Sequence, residues 1–247
     1  TITLPTRQQS QEERRASLPA PDAVRALYMS SWTAGHARRD QVIDLVEKSP
    51  LLNAVVIDIK DDTGKVSFVV EDDFLGDLGV MERRVRDMEQ LLADLQNRGI
   101  YTIGRMSVFQ DPYLAEQYPD WAIQTTDGNV WRDRKGLAFL HPSEEQVHQY
   151  IIHLARVAHD VGFDEINFDY IRFPTDGNLA TIDYDLHEGE TRADVIEDFF
   201  ATLHDALGEE MIISADVFGL TTSNETTDMG IGQVWERVLP YFDYISP

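Results

Sequence analysis

The sequence has no cysteine, no long apolar run and few basic residues, and each absence excludes a class of protein. Without cysteine, the 247-residue chain has no disulfide, no thiolate metal site and no cysteine nucleophile. No run of about 18 apolar residues occurs, so we expect no membrane insertion. The chain begins at Thr1 without an apolar signal core, and we expect any targeting peptide to lie outside it. Glycine-rich phosphate loops and the G-x-S-x-G elbow of serine hydrolases are also missing.

Basic residues are outnumbered by acidic ones. Lys and Arg together number 21, Asp and Glu 44, and the formal net charge is −23. Such a surface repels phosphate backbones and anionic lipids, so we expect no nucleic-acid partner. A neutral substrate such as a sugar is compatible with this charge, and so is a bound cation. The simplest interpretation of the charge is solubility, including solubility in a salty medium.

Short β-prone runs alternate with stretches of helical periodicity from Val24 onward. This rhythm predicts βαβ units around a parallel sheet, and the length suits a single α/β barrel. The predicted strands are Val24–Ser30, Ala54–Lys60, Tyr101–Val108, Glu165–Phe173, Met211–Phe218 and a sixth that begins at Tyr244. The predicted helices are Asp40–Lys48, Glu82–Asn97, Ser143–Val161 and Ala193–Leu207.

Three segments stand outside this rhythm. Residues 1–23 are polar and contain three prolines, which predicts an N-terminal arm or linker before a barrel domain at 24–247. Lys60–Asp77 contains an alternating stretch that predicts a hairpin after the second strand. Asp111–Pro142 is a long aromatic loop after the third strand, and such loops usually build the active-site face of a barrel.

The fourth strand carries Asn167 and Asp169 on one face, because side chains alternate along a strand. Inside a barrel that face is the interior, where a carboxylate is costly unless it has partners or a task. One interpretation is a structural pair between Asp169 and Arg172 that closes the strand end. The other is a catalytic carboxylate held by the arginine.

A second carboxylate, Asp216, ends the fifth strand. Because the fourth and fifth strands are expected to be neighbours, Asp169 and Asp216 are predicted to face one cleft. Two carboxylates across a scissile bond are what glycoside hydrolysis requires, one as acid and one as nucleophile or base. Taken alone, Asp216 also fits a helix cap or a metal ligand.

The second and third strands add charged groups. Asp58 and Lys60 share a face of the second strand, where they are placed to pair with each other or to contact sugar hydroxyls. Arg105 lies within the third strand, and a buried arginine requires a carboxylate partner, for which Asp58 or Asp169 is the natural candidate.

Three tryptophans are candidate sugar platforms. Trp32 follows the first strand, and Trp121 and Trp131 lie on the long aromatic loop. Flat rings suit the apolar faces of sugars, but the same rings also pin loops to a core. Both interpretations stay open for each of them.

Four motifs in this order resemble a bacterial family of glycoside-hydrolase-type TIM-barrel domains, long classed as a domain of unknown function. They are VVIDIKDDTG, IGRMSVFQDP, GFDEINFDYIRFP and ISADVFG, and the resemblance runs from about Val24 to the chain end. It implies a barrel distantly similar to α-amylase-like glycosidases, with Asp169 as nucleophile and Asp216 as general acid. It also implies two βα units beyond the sixth strand, so we expect a barrel truncated after strand six.

The residues and the resemblance together predict a glycoside hydrolase. The expected substrate is a polysaccharide, α-linked or containing amino sugars, of the cell envelope or the extracellular space. We expect Arg105, Arg172 and Asp58 to position carboxylates and hydroxyls, and no cofactor is expected. The alternatives are a carbohydrate-binding barrel without catalysis, a partner-binding module, and a metal-dependent hydrolase. That hydrolase would draw its oxygen ligands from Asp58, Asp61, Asp62 and Asp169.

Overall fold

The computed structural model describes residues 18–224 and 226–247. Within these ranges the strands are β1 (Ala26–Met29), β2 (Ala54–Lys60), β3 (Tyr101–Ser107), β4 (Gln124–Thr125), β5 (Glu165–Asp169), β6 (Ile182–Asp183), β7 (Ile212–Asp216) and β8 (Tyr244–Ser246). The helices are α1 (Ser31–Ala34), α2 (Arg39–Lys48), α3 (Asp73–Leu78), α4 (Met88–Asn97), α5 (Pro112–Gln117), α6 (Glu145–Val161), α7 (Arg192–Leu207) and α8 (Trp235–Val238).

Six of these strands form one sheet in the order β1-β2-β3-β5-β7-β8. The pairs β1–β2, β2–β3 and β7–β8 are parallel. Because parallel neighbours need a crossover, helices connect the successive strands of the sheet. The predicted α/β class is therefore confirmed. The short strands β4 and β6 form a separate antiparallel pair.

The chain divides into two compact units, of which the first contains described residues 18–61, Lys65–Met106 and His153–Asn167. Helix α4 buries the stripe Met88, Leu91, Leu92 and Leu95, whose spacing of three and four residues is that of one helix face. On one side of the strands, Ala54, Tyr101 and Ile103 form a buried cluster. Apolar burial of this kind is what stabilises the strand–helix layers.

The second unit contains residues 62–64, Ser107–Ile152 and the described part of 168–247. Its core is aromatic and is built around helix α7. Phe199 packs against Phe109 at a ring-centroid distance of 4.8 Å, and Phe200 packs edge-on against Phe242 at 5.3 Å. Helix α7 begins with a capping box, in which Thr191 and Asp194 satisfy each other's backbone N–H groups.

The last residues of the predicted N-terminal arm pack on the first unit. Residues 1–17 lie outside the described residues. Leu18 and Ala20, however, pack against the buried cluster of the first unit, and the Leu18 N–H donates to the Asp164 carboxylate at 2.7 Å. Residues 18–23 therefore belong with the folded unit, because they cover apolar side chains at the start of β2 and β3.

Two predicted elements differ from the structure. Helix α4 begins at Met88, six residues later than predicted, because the N–H groups of Glu82 and Val85 donate to Val66 and Ser67. The expected hairpin is formed only in part: Val66 makes an antiparallel bridge to Lys60, and the Ser67 N–H donates to the Ile59 carbonyl at 2.8 Å, but helix α3 follows in place of a longer second arm. Val66 also bridges Met81, a pairing with a later segment that local alternation did not predict.

Two other strands are shorter than predicted. The fourth predicted strand ends at Asp169, and the fifth ends at Asp216. The predicted start of the sixth strand, Tyr244, is confirmed. In the described part of the chain, no helix is long and apolar enough to cross a membrane.

A matched pair of glycine substitutions tests the packing of the first unit. A Cβ added at Gly104 of β3 would lie 2.4 Å from Ile59 Cδ1 and 3.0 Å from Phe163 Cδ1. We expect Gly104→Ala to lower the free energy of unfolding by about 1–3 kcal/mol, because overpacking forces neighbours to move. Gly76→Ala in α3, where a Cβ meets nothing within 4 Å, is expected to raise it by up to about 1 kcal/mol. Urea unfolding measures both, and equal midpoints for the two variants would contradict the packing described.

Candidate active site

Strand β5 ends at Asp169 because the next residue leaves the extended conformation. Tyr170 has φ 54°, in the left-handed region that non-glycine residues rarely adopt. This turn lets the Tyr170 N–H donate to Asp169 Oδ1 at 2.6 Å, while the backbone carbonyl of Asp169 accepts from the Val108 N–H at 2.8 Å. The half-buried carboxylate is thus oriented at the carboxyl end of its strand. Strained backbone of this kind is common at functional sites.

Arg172 is buried in the loop that follows Asp169. Its guanidinium donates to the Phe173 carbonyl at 3.0 Å and lies 4.7 Å from the centroid of the Phe218 ring. Burial lowers the pKa of Arg172, and the charges of Tyr170 and Asp169 act in the opposite direction. The arginine is therefore held by its own loop and by an aromatic ring.

Asp216 is the last residue of β7. Its side chain is half-buried, and in the parallel register it lies opposite Ser246 of β8. Beyond it, the Val217 N–H donates to the Ser246 carbonyl at 3.0 Å, which extends the ladder by one bond. The carboxylate therefore stands on a backbone that is fixed by hydrogen bonds on its β8 side.

Gln233 connects the segments that follow these two aspartates. Its buried side chain accepts from the Phe218 N–H at 3.0 Å and donates to the Ile171 carbonyl at 3.3 Å. One amide group thus satisfies a backbone donor after Asp216 and a backbone acceptor after Asp169. Sequence reasoning missed Gln233, and only its position after a Gly-rich turn, Met229–Gly232, hints at a special role.

Asp169 and Asp216 end neighbouring parallel strands, since β5 and β7 are adjacent in the sheet. The carboxyl ends of parallel strands meet at one edge, and neighbouring strands lie about 4.8 Å apart. The two strands are neighbours, as the sequence predicted, and that the two carboxylates face one cleft stays a prediction. Asn167 lies two residues before Asp169 on the same side of β5 and is buried.

A cluster around Asp58 occupies the corresponding strand ends of the first unit. The buried Asp58 carboxylate accepts from the Tyr28 hydroxyl at 2.7 Å, from Arg105 Nη1 at 3.1 Å and from the Ser31 N–H at 3.4 Å. The predicted partnership of Arg105 with Asp58 is thereby confirmed. Burial raises the pKa of Asp58 above its ordinary value, although all three donors favour the ionised form.

Lys60 does not reach the surface. The register of β2 with β3 shifts between Asp58 and Lys60, a bulge of the type found beside active sites. The loop from Val66 then covers the strand end, with Ser67 donating its hydroxyl to the Asp58 carbonyl at 2.7 Å. Because Lys60 is fully buried, the predicted contact with sugar hydroxyls is wrong for this residue.

The three predicted tryptophan platforms differ in exposure. Trp32 is 61% exposed, and the Arg84 guanidinium lies 4.6 Å from its ring centroid. Trp131 is buried, and its indole N–H donates to the Asn178 carbonyl at 3.1 Å. Trp121 is buried and stacks on Tyr118 at 4.2 Å. The platform interpretation is therefore corrected for Trp121 and Trp131, whose rings pin the long loop to its own core, and only Trp32 keeps an accessible ring.

The described residues contain no group of three or more His, Cys, Asp or Glu side chains arranged to hold a metal ion. The metal-dependent alternative therefore has no ligand set among them. Asp61, one of its candidate ligands, forms an ion pair with Arg84.

Residues 26–247 match the family described as "Putative glycosyl hydrolase domain". The chain belongs to this glycosyl hydrolase family. The resemblance noted in the strand motifs is thereby confirmed. A hypothetical protein from Ruminiclostridium thermocellum ATCC 27405 is 33% identical with a TM-score of 0.71, and the alignment covers 78% of this chain and 98% of that one. Among proteins with curated descriptions, none matches the sequence.

Two more distant structures show the fold of this family member. The α-galactosidase from Thermus thermophilus in complex with stachyose has a TM-score of 0.56 at 19% identity, covering 95% of this chain and 45% of that enzyme. The maltogenic α-amylase AmyB from Thermotoga neapolitana has a TM-score of 0.52 at 12% identity, covering 89% and 48%. The chain therefore has the TIM-type fold of these glycosidases and spans about half the length of each.

The Asp58 cluster yields a test by NMR. We expect Tyr28→Phe to raise the pKa of Asp58 further, because the Tyr28 hydroxyl is a donor that favours the carboxylate. A group whose folded pKa is raised stabilises the fold when protonated, and this contribution is lost as pH rises through the folded value. In the variant, the stabilisation by protonated Asp58 should therefore persist to a higher pH than in the unaltered protein. Carboxyl ¹³C titration measures the shift, with Tyr244→Phe on β8 as control; an unchanged or lowered pKa in Tyr28→Phe would contradict the role of the hydroxyl.

Proposed function

We propose that this protein hydrolyses glycosidic bonds of a polysaccharide, with Asp169 as the nucleophile and Asp216 as the general acid and base. The observation that carries the proposal is the pair of half-buried carboxylates at the carboxyl ends of the adjacent strands β5 and β7. Membership of a glycosyl hydrolase family supports it. Catalytic residues of TIM-type enzymes stand at this end of the strands.

In the proposed reaction, Asp216 donates a proton to the glycosidic oxygen as the bond to the anomeric carbon breaks. Asp169 attacks that carbon and forms a glycosyl ester, and the leaving group departs as an alcohol. Asp216, now ionised, removes a proton from water, which attacks the anomeric carbon and releases Asp169 as a carboxylate. Arg172 is the nearby cation of this site, since its charge interacts with that of Asp169.

The first unit supplies groups suited to sugar recognition. Tyr28 is exposed and Arg105 half-buried, and the buried Asp58 carboxylate holds both, so their hydroxyl and guanidinium groups are suited to contact sugar hydroxyls. Trp32 offers an exposed ring, braced from one side by Arg84, for the apolar face of a sugar. We assign Tyr28, Arg105 and Trp32 to carbohydrate binding within the first unit.

We further propose an α-linked polysaccharide of the cell envelope or the extracellular space as the substrate. The solved glycosidases that share the fold include α-galactosidase, α-amylase and α-L-fucosidase. The net charge of −23 favours a neutral polymer over an anionic one.

Substitution of the two aspartates tests the mechanism. We expect Asp169→Asn to abolish turnover, because an amide is not a nucleophile. Asp216→Asn should lower kcat by about 10²–10⁴-fold, the usual contribution of a general acid. Release of reducing ends from a panel of α-glucans and α-galactans, and of p-nitrophenol from aryl α-glycosides, measures both. Asp205→Asn on the exposed face of α7 is the matched control. Sugar binding without turnover in the unaltered protein would make it a binding domain, and full activity in Asp169→Asn would remove Asp169 from the mechanism.

The stereochemistry of the product is a separate prediction. The proposed reaction passes through a glycosyl ester, so the anomeric carbon is inverted twice and its configuration is retained. We therefore expect the α-anomer as the first product of an α-linked substrate. Proton NMR during the first minutes of hydrolysis distinguishes the anomers before mutarotation. An initial β-anomer would identify an inverting enzyme and would give Asp169 the role of base toward water.

A further inference from the structure

A cavity of about 660 Å³ lies in the second unit, in the loops that follow the two proposed catalytic strands. One wall is the segment from Tyr184 to Ala193, which follows β5. The other contains Thr226–Asp228 and Val234, which follow β7. Neither Asp169 nor Asp216 is among the described residues that line it. The volume is in the range of small-molecule sites, and the lining mixes apolar with polar groups as such sites do.

Arg192 is the central polar group of this cavity and is held from two sides. Its guanidinium lies 5.0 Å from the centroid of the Tyr184 ring, and its Nε donates to Asp228 Oδ2 at 3.4 Å. The Asp228 carboxylate is itself oriented by the N–H groups of Gly230 at 2.9 Å and Gly232 at 3.2 Å. A guanidinium and a carboxylate are thus presented side by side in a pre-organised arrangement.

Gly232 makes this arrangement possible. It has φ +84°, and a Cβ there would lie 2.7 Å from the Arg192 carbonyl oxygen and 2.5 Å from Ile196 Cγ1. Only glycine allows the Asp228 loop to approach the first turn of α7 so closely. The cavity is therefore built by a specific backbone approach and is not a gap between loosely packed loops.

The second arginine of the cavity is already neutralised. Arg237 Nη1 pairs with Asp194 Oδ1 at 2.7 Å and with Glu197 Oε2 at 3.1 Å. Thr191 and Arg237 lower the pKa of Asp194 to about 2, so this carboxylate stays charged beside Arg237. Since each arginine faces a carboxylate, the cavity has no excess positive charge to attract an anion, and the chain as a whole is strongly acidic.

We propose that this cavity is a sugar-binding subsite that takes a neutral sugar unit of the polysaccharide at a distance from the scissile bond. The remaining N–H groups of Arg192 donate to one hydroxyl and Asp228 accepts from its neighbour, while Tyr184 and Val234 contact the apolar edge of the ring. The inference rests on the proposed function for its substrate class. It also implies that the enzyme prefers long oligosaccharides over short ones, because binding energy from a remote sugar unit contributes to catalysis.

The test uses binding in the Asp169→Asn background, which separates binding from turnover. The probes are two neutral tetrasaccharides, stachyose and maltotetraose, with tetragalacturonic acid as the anionic comparison. We expect at least one neutral probe to bind, and Arg192→Gln to weaken it at least about tenfold, as loss of a charge-assisted hydrogen bond does. Arg38→Gln, which removes an exposed arginine from the first unit, is the matched control. Isothermal titration calorimetry gives the dissociation constants.

A second readout keeps Arg192 intact, so that a misfolded variant cannot decide the question. Methyl ¹³C shifts of Ala193 and Val234, both in the cavity lining, should move on addition of the neutral probe. Three results would each overturn the proposed subsite. The methyl signals could stay unmoved with both neutral probes. Arg192→Gln and Arg38→Gln could bind a neutral probe with equal affinity, or the protein could prefer tetragalacturonic acid. Methyl shifts in a protein that hydrolyses no glycoside would leave the subsite standing while the proposed catalytic function fails. Hydrolysis without methyl shifts would support the proposed catalytic function and rule out the subsite.

Discussion

The Gln233 side chain joins the two backbone segments on which the proposed catalytic pair depends. A buried amide makes both of its hydrogen bonds to main-chain groups, one beyond Asp169 and one beyond Asp216. An unsatisfied buried donor or acceptor costs about 1–3 kcal/mol. If either segment moved, it would lose its hydrogen bond to Gln233 and leave a buried backbone group unsatisfied. The left-handed turn at Tyr170 is retained under the same constraint, because Ile171, which follows it, is held in place. The carboxylates are therefore positioned by backbone contacts that lie outside the strands themselves.

Arginine residues have a consistent role in this acidic protein. Arg105 is bound to Asp58, Arg192 to Asp228 and Arg237 to Asp194, and each pair lies at a site with a proposed role in binding. In a chain of net charge −23, an acidic cluster would repel itself, so each local cation permits carboxylates to gather where hydroxyl recognition needs them. The planar guanidinium also packs on rings, as Arg84 does on Trp32 and Arg172 on Phe218. Some of these arginines thus neutralise nearby carboxylates, and others pack on aromatic rings.

Prediction from sequence succeeded where local pattern and tertiary structure agree. The β-prone runs at Ala54–Lys60 and Tyr101–Ser107 and the periodic apolar stripe of α4 are local patterns that can be recognised without knowing their partners. It was incomplete where a later segment supplies hydrogen bonds, as around Val66, which bridges Lys60 as a hairpin would but also pairs with residues 80–82. The prediction of sugar platforms at Trp121 and Trp131 failed for a different reason. Composition indicates that an aromatic ring suits a sugar, but burial of Trp121 and Trp131 depends on Tyr118, Asn178 and the rest of the loop.

The sequence by itself determined the alternation of strands and helices, the family, and the location of Asp169 and Asp216 on neighbouring strands, because these follow from apolar periodicity and from contiguous motifs. Tertiary structure alone decided that Arg105 pairs with Asp58, that Lys60 is buried, and that Gln233 bridges two loops. It also decided that Arg192 and Asp228, 36 residues apart, meet in one cavity. Contacts between side chains on different strands and loops depend on strand register and on how closely two backbone segments pack, as at Gly232. A local sequence pattern does not specify which distant residue will be the partner.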